Sequence, residues 1–349
     1  MLLPCRLKLM FLSEANNCFS EETDMRRIVP LFLSALLLVA SLNTASAADK
    51  KLNVVSTIRP IQAIVLAIAE DTVDATQIIP DYASPHHYSF KPSDIRRIQK
   101  ADIIFRIDEH METLLNKSFE KLPEDKPLVA LADHKNIHLL DNVTKHSHTD
   151  EKEMENAEHK DEHDEHNADA DDGHEDHNNK DLHIWTSPEN TLVMANIIAK
   201  KLGEMDQANT EIYQANLSIF TSKINEITLR VEKDLEPYKK SPYIVFHNSW
   251  QYFAHQFGLE TPTVFDPQEN ISAGIKSIRK IQTEIKTKNI GCLFSDPSIK
   301  QSRVFFLIDK FKINAVEIDA LGRDIPLNKN TSIEYLNYLS NKIRFCFDP

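Results

Sequence analysis

Two arrangements of histidine in this chain are suited to metal chemistry. The first is a run: between Lys145 and Lys180 lie His146, His148, His159, His163, His166, His174 and His177, among fourteen acids and four lysines. Neutral imidazoles beside carboxylates are ready ligands, and a segment with almost nothing apolar to bury reads as a solvated, disordered tether. The second arrangement is dispersed. His86, His183, His247 and Asp319 stand 97, 64 and 72 residues apart, which matches no local zinc-finger spacing. What they share is placement in loops expected at a common cleft, with His86, His247 and Asp319 each just past an apolar run of strand character. Zn²⁺ favours four nitrogen, sulfur or carboxylate ligands at about 2.0–2.3 Å. Such a set excludes Mg²⁺ and Ca²⁺ better than it selects zinc among transition metals.

The elements that must position these residues alternate. Strand signals at Leu52 to Thr57, Ala75 to Ile79, Ile103 to Ile107 and Leu128 to Leu131 are separated by helical ones. The helices are expected from Pro60 to Ala69, from Pro92 onward and from Met111 to Leu122. Strands alternating with helices predict a parallel sheet, whose ligands bind beyond the carboxyl ends of its strands. His86, in Pro85-His86-His87-Tyr88, lies there. His183 sits in Asp181-Leu182-His183-Ile184-Trp185-Thr186-Ser187-Pro188, where Ser-Pro opens a helix to Lys201.

Ile212, Leu217, Phe220, Ile224, Ile227, Val231 and Leu235 then form one apolar stripe on a long helix from Asp206 to Leu235, which reads as a rigid strut between two lobes. The second lobe repeats the alternation, with strands at Tyr243 to Phe246, Pro262 to Phe265, Ile290 to Phe294 and Ala315 to Ile318. The fold class is α/β, with two Rossmann-like (β/α) lobes of mostly parallel strands joined by that helix. The segments expected are an N-terminal lobe at 48–187 containing the tether at 145–180, a helical connector at 188–238, and a C-terminal lobe at 239–349.

Charge and composition narrow the function. Ten of the thirteen net negative charges belong to the tether, so the remainder is nearly neutral and lacks the basic stripe that nucleic acid requires. Six scattered glycines assemble no phosphate-cradling loop. Met25-Arg26-Arg27, the apolar run Ile28 to Leu42 and the Ala45-Ser46-Ala47 site read as a signal peptide at 25–47. Residues 1–24 are either an upstream mis-start or an extended n-region. Export leaves two cysteines, Cys292 and Cys346; in an oxidising compartment the even count points to one disulfide, with two buried free thiols as the alternative.

In several blocks the chain resembles the periplasmic solute-binding proteins of metal-specific ABC importers, closest to the high-affinity zinc-uptake members. Ala83-Ser84-Pro85-His86-His87-Tyr88 with Lys91-Pro92-Ser93-Asp94, the block Asp181 to Pro188, Phe246-His247 and Ile318-Asp319-Ala320-Leu321-Gly322 carry the likeness. The resemblance implies His86, His183 and His247 as zinc ligands, with the fourth position open to Asp319, His87 or water. It implies two α/β lobes with Zn²⁺ between them and a Cys292–Cys346 disulfide in the C-terminal lobe. It also implies a periplasmic monomer, not an enzyme, that serves an inner-membrane permease with its cytoplasmic ATPase, with a periplasmic zinc chaperone as a further partner. His87 stands where the family usually has aspartate, and Ala320 where it usually has proline. Other readings are a manganese- or iron-type member of the same family, a zinc-buffering chaperone, and a zinc hydrolase. The last would need an open metal site and a general base, and no His-Glu-x-x-His motif occurs.

Overall fold

The computed structural model describes residues 50–142, 179–265, 275–299 and 301–349. The signal-peptide reading and all of the tether except its last two residues lie outside them. Within residues 51–349, β1 (Asn53–Ser56), β2 (Asp74–Gln77), β3 (Ile103–Arg106) and β4 (Leu128–Ala130) form a parallel sheet in the order β2-β1-β3-β4. A second parallel sheet, β6-β5-β7-β8, comprises β5 (Tyr243–Val245), β6 (Thr263–Val264), β7 (Cys292–Ser295) and β8 (Asn314–Glu317). The strand order is the same in both lobes, and each sheet presents its carboxyl edge to the loops that carry the histidines.

Helices cover these sheets because parallel strands are apolar on both faces. The helices are α1 (Arg59–Ala69), α2 (Pro92–Lys100), α3 (Asn116–Phe119), α4 (Pro188–Met205), α5 (Thr210–Leu235), α6 (Gln251–Gln256), α7 (Ile275–Thr287), α8 (Gln301–Phe311) and α9 (Thr331–Phe347). Successive strand residues point to opposite faces, and the second lobe divides accordingly. Tyr243, Val245, Cys292 and Phe294 join the core that runs through both lobes. Ile244, Phe246 and Leu293 face the other way, into a separate cluster with Ile281 and Ile285 of α7.

The long helix α5 has 26 residues, about 39 Å at 1.5 Å per residue. It packs against α1 and α4 of the first lobe and α9 of the second, tying the lobes together. One position differs from that stripe: Tyr213 is fully buried, whereas Ile212 is exposed. Seven residues before Phe220 is two turns of helix and returns to the same face, whereas eight residues overshoots it. The Tyr213 hydroxyl also finds Asp206 at 2.6 Å. The helix expected at Met111 to Leu122 is shorter than its pattern, a 3₁₀ turn at Thr113–Leu115 followed by α3. Glu112 is the reason. Its buried carboxylate accepts from the Thr57 hydroxyl at 2.6 Å and from the amides of Ile107 and Asp108, which fixes residue 112 to the end of β3.

The tether leaves and returns at one point. Asp141 and Lys180 form an antiparallel bridge, reinforced by an ion pair at 2.8 Å and by Asp181 N–H donating to Leu140 O at 2.9 Å. Gln251 of α6 donates to Asp141 O at 2.9 Å, and Tyr252 donates to Asp181 O, so this root is fastened to the second lobe as well. Among the described residues no helix is long and apolar enough to cross a membrane.

Cys292 of β7 and Cys346 of α9 are joined by a disulfide, with Cα atoms 5.8 Å apart. The linkage spans 54 residues, for which chain entropy gives a stabilisation of about 4 kcal/mol. Reduction with the protein still folded should lower the urea midpoint by the corresponding amount. Thiol titration of the denatured, unreduced protein should find neither cysteine free; an unchanged midpoint after reduction would remove the disulfide from the stability of the second lobe.

Candidate metal centre

His86 sits in the loop after β2, and that loop is pinned at both ends. Asp81 receives the Arg59 guanidinium at 2.6 Å and the Gln77 amide at 2.9 Å. The His86 amide donates to Ser84 Oγ at 3.3 Å, and His87 N–H closes a turn onto Ser84 O. Beyond it, the buried Tyr88 donates to Asp94 Oδ2 at 2.6 Å, and the same carboxylate takes Lys91 N–H at the start of α2, where Pro92 fits the first turn. The loop is therefore short of freedom on either side of the imidazole.

His183 precedes a 3₁₀ turn at Ile184–Thr186, held by Thr186 Oγ1 donating to His183 O at 3.0 Å. Ser187 then caps α4, its hydroxyl accepting from Asn190 N–H at 3.1 Å. Asp181 Oδ1 lies 2.7 Å from His183 Nδ1 and accepts the His183 amide at 2.9 Å. A carboxylate at Nδ1 holds the proton there and turns the Nε2 lone pair outward, the arrangement found behind metal-ligating histidines. His247 stands two residues past β5. Its strand is locked by Phe246 N–H on Phe294 O, and the following Trp250 stacks on Tyr243 at 5.4 Å.

The three imidazoles converge from these three segments. His86 Nε2 lies 3.4 Å from His183 Nε2, and one ring nitrogen from each of His86, His183 and His247 falls within 4.8 Å of the others. Two nitrogens on a tetrahedral zinc at 2.0–2.1 Å are about 3.3 Å apart, a separation that the His86–His183 pair matches. Burial, followed by the neighbouring His183 and His87, lowers the His86 pKa to about 3. Burial, then His183 and His86, holds His247 well below the usual imidazole value. Neutral rings are what a metal requires.

Asp319 does not join this group. It lines the same cavity of about 160 Å³, but its carboxylate is spent on its own loop. Oδ1 accepts from Leu321 N–H, and Oδ2 takes the amide of Arg323 at 2.5 Å and its guanidinium at 2.9 Å. His87 is exposed on the outer side of the turn, its ring centre 6.3 Å from that of His86.

The model of the family "Zinc-uptake complex component A periplasmic" matches residues 54–344. The chain belongs to that family. Within it, a high-affinity zinc uptake system protein ZnuA of Brucella abortus is 31% identical over 332 residues, covering 92% of this chain and 99% of the relative. Among solved structures, a crystal structure of ZnuA superposes with a TM-score of 0.66 at 20% identity, over 84% of this chain and 99% of the other. The periplasmic zinc binding protein TroA from Treponema pallidum does so with 0.64 at 17%, over 85% and 99%. At that identity the two structures speak for the fold, which is the two-lobed α/β architecture of the zinc-uptake family.

Two residues at the centre are not singled out as site residues by sequence reasoning. Asp181 orients His183, and its signal is the Asp-x-His spacing, which puts both side chains on one turn. Trp185 is buried in the core, and its indole N–H also donates to Ala320 O at 2.8 Å in the opposite lobe.

The depressed imidazole pKa values fix the sign of a pH effect on the metal-free protein. Unfolded histidine takes up a proton near 6.5, whereas folded His86 does so only near 3. Below 6.5 the unfolded chain therefore binds more protons, and stability declines as pH falls through that window. The urea midpoint of chelator-treated protein should drop between pH 7.5 and pH 5, and a His86→Ala/His247→Ala double variant should show a shallower drop. Equal slopes in the two proteins would contradict the assignment.

Proposed function

We propose that this protein captures Zn²⁺ in the periplasm between its two lobes and delivers it to an inner-membrane ABC permease driven by a cytoplasmic ATPase. The observation that carries the reading is the convergence of one ring nitrogen from each of three histidines within 4.8 Å, with Asp181 behind His183. Family membership supports the transport role, and the relatives' descriptions as zinc-uptake proteins support the metal. His86, His183 and His247 are the ligands. The cavity beside them has room for water as the fourth, and Asp319 shapes the wall through Arg323 without ligating. The chain acts as a monomer, binding and releasing its cargo with no turnover, after removal of residues 25–47 as a signal peptide. A periplasmic zinc chaperone is a further partner.

Alanine at His183 should lower zinc affinity at least tenfold, about 1.4 kcal/mol, as read by competition against a chromophoric chelator. Wild-type affinity in His183→Ala would overturn the ligand set. Uptake in cells relying on the variant should fail at low external zinc and recover when zinc is abundant.

The tether at 145–180 collects zinc without forming the tight site. A segment with so little apolar surface loses conformational entropy on wrapping an ion, so its sites are weaker than a preorganised one. Deleting 145–180 should reduce the total zinc equivalents bound while leaving one tight equivalent. A deleted protein with no tight zinc would place the tether in the primary site.

A further inference from the structure

Arg59 is a buried cation at the first turn of α1, and it touches both lobes. In its own lobe it pairs with Asp81 at 2.6 Å, five residues before His86. Across the interface its Nε donates to Gly322 O at 3.2 Å, and its Nη2 donates to Ile325 O. Both carbonyls belong to the loop after β8, which also receives the Trp185 indole at Ala320. That indole follows His183 by two residues. One C-terminal loop thus accepts a hydrogen bond from the segment that carries His183 and two from Arg59, which is paired through Asp81 with the segment that carries His86.

The receiving loop is built to hold its shape. Gly322 has φ +66, a conformation that favours glycine, and a Cβ there would lie 3.0 Å from the Tyr335 ring and 3.3 Å from Ile325. The Asp319 carboxylate ties the amides of Leu321 and Arg323 together. The Asp319 amide is anchored in turn on the Tyr338 hydroxyl of α9 at 2.9 Å. Displacing this loop from the N-terminal lobe strips Arg59 of two acceptors in a buried place, where an unsatisfied charged donor is costly.

We infer that Arg59 is a positioning residue for metal retention: through Asp81 it holds the His86 loop in register with the loop after β8. Release of the ion then requires the guanidinium to give up its carbonyls or its carboxylate, so this contact helps set the dissociation rate. The fork geometry is essential. A lysine ammonium is a single point on a flexible stem and cannot serve one carboxylate and two divergent carbonyls at once.

The inference rests on zinc binding at the three histidines, and the test separates the two. Full-length wild type, Arg59→Lys and Asp81→Asn would be loaded with Zn²⁺, and its dissociation into excess chelator followed by stopped flow. Cobalt-loaded samples would report the ligand geometry through their visible absorption. Both variants should release zinc about tenfold faster with little change in association rate, and their cobalt spectra should shift from that of wild type. A general loss of stability would alter the melting temperature and leave the spectrum as it was. Asp81 is partly exposed, so Asp81→Asn cuts the link to the His86 loop and leaves the buried carbonyl contacts in place; it decides the matter if Arg59→Lys does not fold. Folded variants with wild-type dissociation and wild-type cobalt spectra would overturn the role of Arg59. A wild type that binds neither metal would overturn the zinc reading, and this inference with it.

Discussion

Three imidazole nitrogens held within 4.8 Å of one another, and largely shielded from water, cannot all carry protons. That constraint orders the molecule. Bringing the nitrogens together removes water from each ring and sets lone pair against lone pair, so no single loop would hold the arrangement on its own. The chain divides the task among three rigid supports: a loop pinned by Asp81 and Tyr88, a capped turn ahead of α4, and the end of a buried strand. Each support is stabilised by interactions unrelated to the metal. The cluster is therefore held in place by the fold itself, so an ion bound there would leave little ordering entropy to offset.

The lobes are not independent in carrying this load. The core on one face of the second sheet is continuous with that of the first, and α5 runs along both. The seam between the lobes near the histidines is polar. Trp185 and Arg59 cross it by hydrogen bonds to main-chain carbonyls, contacts with sharp distance and angle requirements. An apolar seam would slide; a hydrogen-bonded one is either made or broken.

Much of this was legible in the residues. The two sheets follow from apolar runs at regular intervals, and His86 and His247 from their place past strand ends, because in parallel sheets geometry concentrates ligands there. Apart from the disulfide, long-range partnerships were not legible. Nothing local marks Arg59 as the partner of carbonyls 263 and 266 residues away, since a main-chain acceptor has no side-chain signature. Asp319 shows the same limit at a side chain. Its place past a strand end suits a ligand, and only the folded loop reveals that its carboxylate pairs with an arginine four residues later. Ile212 and Tyr213 show the limit of periodicity: adjacent bulky residues compete for one face, and a shift of a single position decides which is buried.

The bridge between Asp141 and Lys180 carries a consequence for how this chain varies over evolutionary time. Entry and exit of the intervening segment are fixed side by side and held by main-chain hydrogen bonds on both strands of the bridge. The cost of closing a connection between fixed ends grows only as the logarithm of its length, about 0.6 kcal/mol per doubling. Insertions and deletions between those two residues are thus nearly silent in folding, and they leave Asp181 and His183 where they are. The segment can therefore gain or lose histidines codon by codon without disturbing the fold on either side of it.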